Sequence, residues 1–247
     1  MANSEIPSVI LLFSSSLETV SGHLNDVLRG QSRLSIGSDQ VPAKGSFIAL
    51  WDGLELDCRL ADGPANLVVE NRVFTTAANS SFQSSISISL SEKLRGGNRV
   101  APIWSGLLEM AAYLADALSA ECVYWSPSGN LIESGYFKDA IQSFVDGGAF
   151  PALALVRFDT SKEWVTSSTG LDWFSGQEIA ASHPQLSARD AMYRLVRIAH
   201  DMAMIGPYEN ESQLDGLIEG ERLSMKSEGQ SGVVHIRISS TTDALLH

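Results

Sequence analysis

The chain has 247 residues, 44% of them hydrophobic, with 17 Lys and Arg against 29 Asp and Glu, and a formal net charge of −12. That apolar fraction is enough for a sizeable core and excludes an acidic disordered chain. The acidity opposes phosphate backbones and anionic lipid, which both need clustered Lys and Arg, so neither nucleic acid nor a membrane is expected as a partner.

The pattern opens with an apolar run at Val9–Phe13, the length of a buried strand and too short for a signal core or a membrane span. Together with the absence of a basic stretch before it, this predicts a cytoplasmic protein, and the sequons at Asn79 and Asn210 then read as chance matches. Ser16 is placed to cap a helix through Leu17, Val20, Leu24, Val27 and Leu28 that Gly30 ends. Phe47–Trp51 and Leu54–Leu60 flank Asp52-Gly53, the signature of a tight hairpin. A strand at Leu67–Phe74 is weaker, whereas Ile86, Ile88 and Leu90 alternate with serines as in a strand with one wet face.

After Pro102, the residues Trp104, Leu107, Leu108, Ala111, Leu114, Ala115 and Leu118 form the stripe of a long core helix. Cys122–Trp125 reads as a strand ended by a turn at Ser126–Gly129, and Ser134 as the cap of a helix burying Phe137, Ala140, Ile141 and Phe144. Ala152–Phe158 and Trp164–Ser168 read as strands. Ser187 and Asp190 then open a helix to Ile205, buried through Ala191, Leu195, Ile198, Ala199 and Met202, with Arg189, Tyr193, Arg197 and His200 outside. Strands at Arg222–Lys226 and Val233–Ile238 close the chain. Without a regular βα repeat, the expected fold is α+β, helices on a largely antiparallel or mixed sheet, in a single domain 1–247 that could subdivide into 1–83 and 84–247.

No catalytic signature emerges. Gly-x-Ser-x-Gly and the P-loop are both lacking, and the histidines at 23, 183, 200, 235 and 247 are too scattered for local metal-ligand spacing. No catalytic residue, metal or cofactor is therefore expected. His200 and Asp201 are consecutive and diverge on a helix, so Arg197–Asp201 is the expected ion pair. Cys58 and Cys122 read as buried free thiols.

Charge distribution is more informative. Between Arg99 and Arg157 the acids Glu109, Asp116, Glu121, Glu133, Asp139 and Asp146 meet only Lys138. From Asp201 to Glu221 there are six acids and no Lys or Arg. Either a solvated loop or a docking face for a basic partner fits, and Glu209, Glu211, Asp215, Glu219 and Glu221 are the candidate partner-binding residues. Exposed aromatics among the five tryptophans would support a homodimer.

Thr169-Gly170-Leu171-Asp172-Trp173-Phe174-Ser175-Gly176-Gln177-Glu178-Ile179 combines a turn glycine, a large aromatic pair and Gly-x-Glu. With Val123-Tyr124-Trp125-Ser126-Pro127 before it and the long helix after it, the stretch from about 84 to 238 resembles a bacterial domain family of unknown function. The chain is also similar in length and acidity to type VI secretion immunity proteins of the TsiT type. The resemblance implies an α+β fold and a partner that is a secreted antibacterial effector toxin, a basic protein such as a nuclease. It carries no catalytic residues, so Glu178 receives no role from it. An enzyme with a site assembled from dispersed residues near His200, or a structural adaptor of a secretion system, are the alternatives.

Overall fold

The computed structural model describes residues 8–30, 32–37, 42–63, 67–183, 186–227 and 232–240, so His247 lies outside the described residues. The protein is α+β, with two sheets, and divides into two compact units, Met1–Ala154 and Leu155–His247.

The first unit is built on an eight-stranded sheet. In chain order its elements are β1 (Val9–Phe13), α1 (Leu17–Gly30), β2 (Leu34–Ile36), β3 (Gly45–Trp51), β4 (Leu54–Asp62), β5 (Asn71–Val73), β6 (Ser84–Leu90), α2 (Ala101–Ala117), β7 (Cys122–Trp125), β8 (Asn130–Glu133) and α3 (Ser134–Val145). The strand order is β2-β3-β4-β6-β1-β7-β8-β5, antiparallel except for β5 beside β8. Asp52 and Gly53 both take positive φ, as the tight β3–β4 hairpin requires. The 83/84 subdivision would cut this sheet apart, because β6 pairs with both β4 and β1.

All of β1 is buried because both of its faces are covered. Val9 and Leu11 register with Ile88 and Ile86 on one side and with Trp125 and Val123 on the other. Ile10 and Leu12 join Phe82, Cys122, Tyr124 and Leu131 on the opposite face, where Leu67, Val69 and Ala77 cover them. This is why Leu67–Phe74 is not one long strand. Only Asn71–Val73 pairs with the sheet, while the flanking apolar residues lie across it and Tyr124 Oη donates to the Val68 carbonyl.

Two other local expectations change, and one strand is added. Glu133 caps α3 in place of Ser134: its carboxylate accepts Gly135 N (3.0 Å) and Tyr136 N (2.6 Å), and a negative charge also suits a helix N-terminus. Asn130–Glu133, between the turn and the helix and without an expected element, is strand β8, paired with β7. Ala152–Leu155, read as strand, is a helical turn (α4), and the strand begins only at Arg157.

The second unit comprises β9 (Arg157–Thr160), β10 (Val165–Thr169), α5 (Asp172–Ser175), β11 (Glu178–Ser182), α6 (Ala188–Ile205), β12 (Ser212–Asp215), β13 (Glu221–Ser227) and β14 (Val233–Ser240). The sheet order is β12-β13-β14-β11-β10-β9, with β11 and β14 parallel. Ser187 caps α6, its Oγ accepting Asp190 N at 3.1 Å and donating to Asp190 Oδ2 at 2.6 Å. Register places Ile179, Ala181, Val234, Ile236, Leu223 and Met225 on one sheet face, all buried, and α6 packs there through its apolar stripe. Burying each Leu, Ile or Met of this layer is worth ~1.5–3 kcal/mol.

Candidate docking surface

The acidic segment after α6 becomes edge strand β12 and the turn into β13, paired as Ser212 to Met225 and Asp215 to Arg222. Asp215 is exposed in this strand, and Glu209 and Glu211 before it and Glu219 in the turn after it are exposed too. Cations from β13 reach two of them: Arg222 pairs with Asp215, and Lys226 Nζ lies 3.2 Å from Glu211. Among the described residues no ion pair holds Glu209 or Glu219. Exposed pairs of this kind are worth ~0–1 kcal/mol, so a partner's cations can replace them at small cost.

Glu221 does not belong to that surface. It is 4% exposed, and its Oε1 accepts Arg194 Nε at 2.8 Å and lies 2.7 Å from Arg194 Nη2, the guanidinium itself being buried. Its Oε2 accepts the backbone N–H of Leu217 at 2.8 Å. Burial pushes this carboxyl up, but the Arg194 hydrogen bond, the Leu217 N–H and the guanidinium charge together hold it below the ordinary glutamate value. The physical reason is register: Glu221 opens β13 on the face that α6 covers, where a charge survives only with a partner.

Sequence reasoning missed that partner. Arg194 falls on the buried stripe of α6, three residues after Ala191 and four before Ile198, and a cation in that position calls for an acid. Arg194 Nη1 also donates to the Asp190 carbonyl at 2.7 Å. Arg197, expected to pair with Asp201, sends Nη1 to the carbonyls of Asp215 (2.9 Å) and Gly216 (3.4 Å). Two arginines of α6 thus hold the shoulders of the Gly216–Gly220 turn. A Cβ at Gly216 would sit 2.0 Å from Glu221 Oε2, so only glycine fits over the buried carboxylate. At the tip, Leu217 and Ile218 are 47% and 61% exposed, beside Glu219.

The Thr169–Ile179 motif has a local job. Glu178 accepts a hydrogen bond from Ser168 Oγ, and its Oε1 accepts Gly170 N at 2.6 Å and Asp172 N at 3.3 Å. The carboxylate ties the chain after β10 to the start of β11. Burial pushes it up to about 7, against the Ser168 hydrogen bond, with Asp172 adding to the rise. Next to it, Gln177 clamps Tyr208 through both backbone atoms, at 2.8 and 3.1 Å, which fixes where the acidic segment leaves α6.

Other candidates are committed elsewhere. His183 is buried with Nε2 2.7 Å from Thr166 Oγ1. Of the tryptophans, Trp164 is the exposed one, at 49%. A cleft of about 190 Å³ in the first unit is lined by Arg33, Trp51, Glu109, Tyr113, Asp116 and Lys138. Its charges satisfy one another: Arg33 bonds Glu109 and Asp52 over the Trp51 ring, and Lys138 bonds Asp116. In the 100–156 acidic stretch, those two pairs and the α3 cap take Glu109, Asp116 and Glu133, leaving Glu121, Asp139 and Asp146 at the surface. Cys58 and Cys122 are buried and free, and burial pushes both thiols up. Among the described residues no group of His, Cys, Asp and Glu is placed to hold a metal ion, and no helix is long and apolar enough to cross a membrane.

Comparisons of the chain with protein-family models, curated proteins and solved structures found no match.

Proposed function

We propose that this protein is an immunity protein: it binds a secreted antibacterial effector toxin, a basic protein and most fittingly a nuclease, and neutralises it by protein–protein contact. The observation that carries the reading is the exposure of Glu209, Glu211, Asp215 and Glu219 in edge strand β12 and the segments that flank it, two of them without an ion pair among the described residues. A nuclease active site is basic because it holds phosphates, and an acidic edge is steered to such a site by long-range attraction. The similarity of the chain in length and acidity to type VI secretion immunity proteins points the same way.

Co-expression with the products of the genes that flank this one tests the role: a flanking product kills cells that lack this protein and spares cells that make it, and killing that is equal in both arms refutes the reading. For the surface, charge reversal at Glu209, Glu211, Asp215 and Glu219 should slow association at low salt and flatten its salt dependence. Glu221 stays out of that set, because reversing it would place a cation against buried Arg194. An unchanged association rate removes the acidic edge from the reading and leaves toxin binding to be mapped elsewhere.

A further inference from the structure

The geometry points to the Gly216–Gly220 turn as the anchor of this docking surface, with Leu217 and Ile218 entering an apolar pocket on the partner that is rimmed by Lys or Arg; this rests on the immunity reading above. Scattered exposed aliphatic side chains are ordinary, but here two adjacent ones form the tip of a turn that is held from below. Leu217 N–H is bound by the buried Glu221 carboxylate, Gly216 N donates to the Glu221 carbonyl at 2.9 Å, and Glu221 N donates to the Ile218 carbonyl at 3.2 Å. Arg194 fixes the carboxylate and Arg197 fixes the carbonyls of Asp215 and Gly216.

The turn is held by a buried ion pair, an arrangement that is weak evidence of stabilisation in itself. What the arrangement supplies is preorganisation: a tip already ordered loses little conformational freedom when it docks. Interface anchors are apolar groups that fill a pocket inside a polar rim. Glu219 beside the tip, held by no ion pair among the described residues, sets the sign of the rim, while Asp215 at the base is paired with Arg222, so the matching pocket carries a cation beside an apolar floor. Leu217 and Ile218 are contact residues in this scheme, whereas Arg194, Glu221 and Gly216 are positioning residues.

The test uses the full chain and the flanking-gene product that the co-expression experiment identifies as the toxin, purified in catalytically inactive form, with association and dissociation rates measured separately. Leu217→Ser/Ile218→Ser alters only exposed side chains and should accelerate dissociation roughly 10- to 100-fold with little change in association rate. The four-acid charge reversal should do the opposite. Dissociation at the wild-type rate in the double serine variant overturns the anchor while leaving the immunity role intact. Failure of the wild-type protein to bind sinks both. Hydrogen exchange on the free protein gives a readout independent of the toxin: the Leu217 amide should be protected, and exchange at the rate of an open loop overturns the clamp. Should the tip instead pair with a second copy, the wild type is a dimer that the double serine variant turns into a monomer, and the toxin-pocket assignment falls.

Discussion

Removing the charge of Glu221 is the sharpest perturbation of the second unit. In Glu221→Gln, the amide oxygen can still accept from Arg194, but the new NH2 faces the Leu217 N–H, donor against donor, and the guanidinium remains 5% exposed without a countercharge. Hydrogen bonds to charged groups are each worth ~1.5–3 kcal/mol, and breaking a buried pair from one side costs about 3–5 kcal/mol in total. Arg194→Met should cost a similar amount, since it strands the carboxylate. Arg194→Met/Glu221→Met removes both charges and both desolvation penalties, so it should recover most of the loss, apart from the orphaned Leu217 N–H. Urea denaturation followed by hydrogen exchange in α6 reports this unit without averaging over the other. Glu221 has a lowered folded pKa, so its stabilisation is complete above the ordinary glutamate value and fades as pH falls through the folded one. Refutation would be a Glu221→Gln variant within ~1 kcal/mol of wild type, or a double variant as damaged as the sum of the singles.

Glu178 should show the opposite pH sign. Its folded pKa is raised to about 7, so the folded state holds the proton more tightly than the unfolded chain. Its contribution is most favourable below the ordinary glutamate value, declines as pH rises through about 7 and is level above that. Melting curves between pH 4 and 8 should lose that decline in Glu178→Gln, and an unchanged profile would reject the assignment. Gly216→Ala drives a methyl into the Glu221 carboxylate, with a predicted loss of ~1–3 kcal/mol and faster exchange at the Leu217 amide; thermal unfolding with hydrogen exchange reads both.

Local signals in the sequence located much of the framework. The β1 run, the Ser16 and Ser187 caps, the Asp52-Gly53 hairpin and the α2 and α6 stripes depend on neighbours within a turn or two, and they lie where their pattern puts them. The misreadings arose where a short apolar or polar run owes its state to distant chain. β8 is held between β7 and the far β5, Leu67–Val69 covers a sheet face rather than extending it, and Ala152–Leu155 is too short for its periodicity to separate helix from strand.

The same division runs through the site. Composition and order alone determine that the protein is acidic, that its acids crowd between Asp201 and Glu221, and that Arg194 interrupts an apolar helix stripe. Which of those acids faces water was decided only by tertiary structure. Sheet register turns Glu221 inward to meet an arginine 27 residues away and Asp215 outward, and Glu209, Glu211 and Glu219 lie exposed in the segments that flank β12, because a charge can be buried only where folding supplies its partner. The buried member of the acidic run holds in place the apolar tip that the surface presents.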